Sequence, residues 1–326
     1  MLNVLSLKLE TDYLQSEGKW VTMNYLITGG TGCIGQSLIT QLEKMDASIT
    51  VLSRSLDKAK RLLSQNITVI NTLTLENVEQ ADIIINLAGE PIADKRWSNA
   101  QKDLICKSRW SITQNIVNLI KQSTQKPKLF ISASAIGIYG KQDITPITEE
   151  FTQYTKEFTN TVCDNWERIA LKAENKFTRV ALLRTGIVLA KNQGVLAKML
   201  PPFKFGLGGK MGSGGQVMSW IHIEDMVNAI VHIINEPTLT GAINMTAENA
   251  VTNKEFSYQL AKILKRPCIF TTPKFVMKAI FGEMSDLMIY GQNVYPKKLL
   301  SSKFSFKFNK IDHALQSIIK TPDDLT

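Results

Sequence analysis

What this chain of 326 residues has little of narrows its chemistry before any motif is read. It carries three histidines, His222, His232 and His313, none in an HExxH or a His-carboxylate cluster, so no metal site is expected. The four cysteines, Cys33, Cys106, Cys163 and Cys268, form no pair with zinc-ligand or CxxC spacing. Their isolation points to a reducing, cytoplasmic compartment. No apolar run approaches the length of about 20 residues that a membrane helix needs, so a soluble chain with no membrane partner is expected. Residues 1–22 open with Leu2, Val4, Leu5 and Leu7 but carry Lys8, Glu10 and Asp12 and lack a small-residue cleavage site. They read as a loosely ordered extension, or as a start-codon artefact, outside the fold.

The apolar share of 44% suits an ordinary globular protein with a substantial core. A net charge of +9 raises the question of nucleic acid, and the densest basic stretch is Lys297–Lys310. There Phe304, Phe306 and Phe308 recur every second residue, the period of a half-buried strand rather than of a base-stacking platform. No nucleic-acid partner is expected, and a phosphorylated ligand accounts for part of the charge equally well.

Strands and helices alternate through the first two thirds. Asn24–Thr28, Ser48–Ser53, Thr68–Ile70, Ala81–Leu87, Lys128–Ser134 and Arg179–Leu183 read as strands. Helices are expected over Ile34–Met45, Leu56–Leu63, Asn99–Gln122 and Val162–Asn175. This is the pattern of an α/β protein, a Rossmann-type doubly wound parallel sheet, with a smaller C-terminal α+β lobe. The expected division is 23–248 for the nucleotide domain and 249–326 for the lobe, with 191–216 contributing to a substrate cleft. Beyond Leu189 come Pro201-Pro202, a glycine-rich run from Gly206 to Gly215, a strand at Val217–His222 and a helix from Glu224. The glycine run is not a Walker loop, because Lys210 is followed by Met211. A loop over a ligand cleft and a plain surface loop are equally good readings of it.

Thr28-Gly-Gly-Thr-Gly-Cys-Ile-Gly35 lies between a strand and a helix and sets Gly29, Gly32 and Gly35 three residues apart. The first glycine permits a tight turn, the second lets a diphosphate approach the backbone, and the third lets the helix pack against the sheet. The second strand then ends in Ser53-Arg54-Ser55 where NAD enzymes place a carboxylate. Guanidinium and hydroxyl would hold a ribose 2′-phosphate, so NADP(H) is the expected cofactor, with Arg54 as a solvated helix-entry charge the alternative.

These segments, with NLAGE at Asn86–Glu90, SASAIGIYG at Ser132–Gly140, LLRTGIVL at Leu182–Leu189 and SWIHIEDM at Ser219–Met226, follow the order seen in extended short-chain dehydrogenase/epimerases. AGEPIADKRW at Ala88–Trp97, Ser108-Arg109, CDNWE at Cys163–Glu167 and the tail FGEM…GQNVYPKKLL resemble the atypical "epimerase family" proteins of the YfcH type, including their C-terminal domain of unknown function. The resemblance spans residues 23–319. It implies NADP(H) contacts on Gly29, Thr31, Gly32, Cys33, Ile34 and Gly35, on Ser53, Arg54, Leu87 and Ala88, and on Arg109.

The Tyr-x-x-x-Lys pair of a working short-chain dehydrogenase is missing. Where it belongs the chain has Cys163 to Glu167, and a carboxylate in the lysine's place opposes the anion the reaction needs. Tyr258 and Lys262 have the spacing but lie far downstream, a decoy. Ser134, at the end of the SxS strand, Tyr139 and Cys163 are the candidate catalytic residues. For each, a structural role competes: a strand-end hydroxyl, a packed aromatic, an unactivated thiol. His222 reads as a structural histidine that anchors the next helix. The sequence thus expects an NADP(H)-dependent oxidoreductase or epimerase-like protein acting on an unidentified small carbonyl or hydroxyl substrate. Its rival is a catalytically silent NADP(H)-binding regulator, cell division among its possible settings.

Overall fold

The computed structural model describes residues 23–319; the expectations for Met1–Thr22 and for the last residues of the lobe fall outside them. The chain enters through strand β1 (Asn24–Thr28) and helix α1 (Cys33–Glu43), then β2 (Ser48–Leu52), α2 (Leu56–Leu62) and β3 (Thr68–Ile70). After α3 (Leu75–Glu79) it returns past β1 to form β4 (Ile83–Asn86), α4 (Asn99–Gln122), β5 (Leu129–Ala135) and α5 (Phe158–Leu171). Two further strands, Arg179–Thr185 and Gly241–Met245, complete a seven-stranded sheet in the order β3, β2, β1, β4, β5, Arg179–Thr185, Gly241–Met245. Every pairing in it is parallel.

The composition of β4, three isoleucines and an asparagine, all buried, is that of a strand covered on both faces. On one face α1 and the helix Ile223–Asn235 close a core of Leu38, Ile39, Leu42, Ile230 and Ile233 against Ile27, Val51, Ile85 and Ile131. On the other, Val78, Ile116, Val117, Ile120, Ile169 and Ala170 pack against Leu26, Ile84 and Phe130. The strand order reverses between β1 and β4, and the crevice at their carboxyl ends is where such a sheet binds ligands. A second core, in which Trp220 and Phe256 meet Leu189, Leu196, Phe203, Leu260, Leu315 and Ile318, draws on residues both before and after the expected boundary at 248.

Two strand expectations fail for identifiable reasons. Val217–His222 is split at Ser219: Val217–Met218 pairs antiparallel with Val251–Thr252, and Trp220–His222 pairs parallel with Ile187–Leu189. The Ser219 hydroxyl stabilises the break, donating to the Gln292 carbonyl (2.7 Å) and accepting from the Val294 amide (2.8 Å). Lys303–Phe308 forms no ladder at all. Its alternation is one of burial, with Phe304 and Phe306 against the main core and Phe308 in the lobe core. The amides a strand partner would have taken, those of Lys307 and Phe308, donate to the Asp225 carboxylate at 2.8 and 2.9 Å.

His222 caps the helix Ile223–Asn235, its Nδ1 accepting from the Glu224 amide at 3.1 Å. Burial, opposed by the charge of Glu224, pulls its pKa from 6.5 to about 4, which keeps Nδ1 free to accept. The unfolded chain therefore binds a proton that the folded one refuses. The cap's contribution is complete above pH 6.5 and is lost as pH falls toward about 4. His222→Asn keeps a capping oxygen and removes the titration. Thermal denaturation should show the wild type losing Tm across that window more steeply than the variant; parallel curves would contradict this.

Candidate functional site

The loop after β1 is built around close backbone approach. Gly29 has φ +72°, and a Cβ there would lie 2.6 Å from the Leu87 carbonyl carbon, at the point where β4 leaves the sheet. A Cβ on Gly35 would overlap the Gly29 carbonyl. The middle glycine, Gly32, is the N-cap of α1 and offers the helix no side-chain cap. Open amides at the start of an 11-residue helix, under a side-chain-free loop, form an anion cradle.

A buried hydrogen-bond chain fixes the crevice walls. The Thr28 hydroxyl donates to Asn86 Oδ1 (2.6 Å), and Asn86 Nδ2 donates to Thr113 Oγ1 (2.8 Å). Thr113 also accepts from Trp166 Nε1 (2.9 Å) and donates to the Arg109 carbonyl (2.7 Å). One chain of contacts thereby ties β1, β4, α4 and α5 together. No single segment of sequence signals it.

At the end of β2, the Ser53 hydroxyl donates to the Ser55 carbonyl (3.0 Å), and Ser55 caps α2 by accepting from the Lys58 amide (3.3 Å). Arg54 is exposed and, among the described residues, forms no ion pair. Leu87 and Ala88 line the same crevice from β4. Arg109, on α4, sits against Gly89, 3.1 Å from the position a Cβ would take there, with its Cζ 5.3 Å from the Trp166 ring. It hydrogen-bonds the Ile105 carbonyl (3.1 Å) and, among the described residues, forms no ion pair. Burial pulls its pKa down. A largely desolvated guanidinium without a counter-ion is a ready partner for an anion.

The three catalytic candidates come together one layer away, around Glu167, which the sequence places where the lysine is missing, and Arg184 and Asn244, which the sequence reading did not single out. Ser134, near the end of β5, donates to Glu167 Oε1 at 2.6 Å. Glu167 is held by Arg184 through two bonds, Nε to Oε1 at 3.0 Å and Nη2 to Oε2 at 2.9 Å. Arg184 also donates to the Tyr139 hydroxyl (3.1 Å), which itself donates to Asn244 Oδ1 (2.6 Å). Tyr139 has no exposed surface, and Arg184 and Glu167 retain 5% and 7% of theirs. Burial, only partly offset by Arg184, pushes the tyrosine up to about 12. Burial and the Glu167 charge push the Cys163 thiol up to about 12 as well, so it stays neutral near pH 7. For Arg184, burial works against the charge, but the Glu167 hydrogen bonds and charge carry it above the ordinary arginine value. The one signal for this network was an arginine inside the apolar strand Arg179–Thr185, which had to find a counter-ion. Tyr258 is 59% exposed on the lobe helix Asn253–Ile263, outside this cluster.

Residues 25–245 match the NAD dependent epimerase/dehydratase family, and residues 272–318 match a domain of unknown function. The chain belongs to the NAD dependent epimerase/dehydratase family. It is 37% identical over 298 residues to an epimerase family protein of Staphylococcus haemolyticus, covering 90% of this chain and 98% of that one. It is 38% identical to the chloroplastic SDR39U1 homolog of Arabidopsis thaliana, covering 94% and 90%. Among solved structures, the human epimerase family protein SDR39U1, crystallised with NADPH, superimposes with a TM-score of 0.81 at 28% identity, covering 91% of this chain and 99% of that one. Family membership makes this an NAD(P)-binding protein, and the cradle after β1 is the matching feature of its fold.

Among the described residues no group of three or more His, Cys, Asp or Glu side chains is placed to hold a metal ion. The Glu167–Arg184 pair, by contrast, is a costly burial that stays stable only while both partners are present. Glu167→Gln strands a buried guanidinium, and urea denaturation should show a loss of about 3–5 kcal/mol. Ser134→Ala, which removes one hydrogen bond to the carboxylate but leaves the ion pair, should cost less, about 1.5–3 kcal/mol. Equal, small losses for both variants would refute the buried pair.

Proposed function

We propose that this chain binds NADP(H) in preference to NAD(H) and acts as an oxidoreductase or epimerase-like enzyme on a small carbonyl or hydroxyl compound. The observation that carries the cofactor reading is the pairing of an anion cradle at Gly29–Gly35 with an exposed Arg54, which forms no ion pair among the described residues, and the Ser53 hydroxyl at the end of β2. The diphosphate would lie over Gly32 on the amides of Thr31, Cys33 and Ile34, the 2′-phosphate against Ser53 and Arg54, and the rest along Leu87, Ala88 and Arg109. The bound NADPH of human SDR39U1, a relative of the same fold, supports this choice. Bound there, the cofactor supplies hydride chemistry. Substrate would enter between the nucleotide domain, 23–248, and the lobe beyond it, beside residues 191–216. Ser134 is the residue we assign to the reacting end, orienting a substrate oxygen; Tyr139 and Cys163, buried and neutral, take supporting roles. The four unpaired cysteines favour a cytoplasmic setting.

A second reading has its own observation. Ser134 already donates to Glu167, and Glu167 is already matched by Arg184, so the polar groups near the missing Tyr/Lys pair are spent on one another. That arrangement suits a silent NADP(H)-binding regulator.

Titration of the purified protein with NADPH and, separately, NADH tests the cofactor reading. NADPH should bind at least about tenfold more tightly, and Arg54→Asp should cost NADPH about 10–100-fold while leaving NADH nearly unchanged. Equal affinities in the wild type, or a variant that loses both nucleotides alike, would overturn it. On the enzyme reading, carbonyl compounds should draw down NADPH absorbance, and Ser134→Ala should lower kcat by about 100-fold at unchanged NADPH affinity. Enzyme that never oxidises NADPH across such a panel supports the regulator.

A further inference from the structure

The charge excess of this chain has a focus that the cofactor does not use. Between Glu255 and Glu283 the chain carries Lys262, Lys265, Arg266, Lys274 and Lys278 and no carboxylate; between Asn192 and Gly215 it carries Lys198, Lys204 and Lys210 and again none. These two segments lie side by side. The strand Gly209–Met211 pairs with Phe270–Thr272, a Cβ on Gly206 would lie 3.6 Å from the Pro267 ring, and one on Gly212 would meet the Lys274 side chain. Lys198 is engaged with Asp94, but none of the other seven cations forms an ion pair among the described residues.

Large apolar side chains stand out between those charges. Phe205, Ile269 and Phe275 are 81%, 78% and 74% exposed, and Leu207 and Phe270 are exposed beside them. Apolar side chains grouped on a surface mark contact with another molecule or a membrane. The unbroken positive sign excludes a second copy of the same face and calls for an anionic occupant. Isolated aliphatic and aromatic side chains ringed by Lys and Arg suit the acyl and headgroup boundary of an anionic bilayer. Ile269 and Leu207 could not stack on nucleotide bases.

We infer that this face, built on Phe205, Leu207, Ile269 and Phe275, attaches the protein peripherally to anionic lipid surfaces. Attachment differs from spanning: among the described residues no helix is long and apolar enough to cross a membrane. The face is formed by segments other than the glycine loop and the end of β2, so lipid attachment and nucleotide binding are separable.

Vesicle co-sedimentation of the full chain tests this, with phosphatidylcholine vesicles compared with vesicles containing phosphatidylserine. Binding is expected only to the anionic vesicles, and should weaken as salt shortens the Debye length below about 10 Å. The double variant Ile269→Ser/Phe275→Ser and, separately, Arg266→Glu/Lys274→Glu/Lys278→Glu should each reduce partition by at least about tenfold while NADPH affinity stays at the wild-type value. Failure to sediment with either vesicle overturns the inference, as does sedimentation that both variants retain. So does a single-stranded oligonucleotide that binds this face while vesicles do not.

Discussion

Where β1 leaves the sheet, its backbone at Gly29 passes so near the Leu87 carbonyl that there is no room for a Cβ, and φ there is +72°. The functional end of the molecule depends on that approach. It brings the ends of the two central strands together at the place where strand order reverses, aims the first turn of α1 into the crevice, and leaves space for a diphosphate rather than a side chain. The chain of Thr28, Asn86, Thr113 and Trp166 then locks the crevice to α4 and α5, so the helix carrying Arg109 and the helix carrying Cys163 and Glu167 share one frame with the glycine loop.

Within that frame, the region where a short-chain dehydrogenase keeps its tyrosine and lysine has been rebuilt around a charge of the opposite sign. Glu167 needs Arg184, Arg184 reaches Tyr139, and Tyr139 ends on Asn244 of the edge strand. Each partner satisfies the next, which is the condition for burying polar groups at all. The consequence is a buried support beneath Ser134 in which burial pushes Tyr139 and Cys163 up to about 12, so that both stay protonated near neutral pH.

Much of this was legible in the sequence where chemistry and chain order coincide. The limits of α4 match the amphipathic pattern to the residue, the apolar run of β4 announced a doubly covered strand, and the spacing of three glycines placed the crevice. The loss of the Tyr/Lys pair was visible too. What replaced it was not, because Arg184 lies 17 residues from Glu167 and Asn244 lies 105 from Tyr139, and only the sheet brings them together. The two strand errors share a cause. At Ser219 a continuous apolar run changes partners, and in Lys303–Phe308 a period of two reports alternating burial with Asp225 standing in for a neighbouring strand. Patterns of hydrophobicity report which side chains are buried, not which backbone groups pair.

A crystal structure of the protein with NADPH bound would test the central claim most directly. The diphosphate is expected on the amides of Thr31, Cys33 and Ile34, the 2′-phosphate within hydrogen-bonding distance of Arg54, and Glu167 still held by Arg184. A 2′-phosphate turned away from Arg54, or a Glu167 released from Arg184 to face the nicotinamide ring, would contradict it.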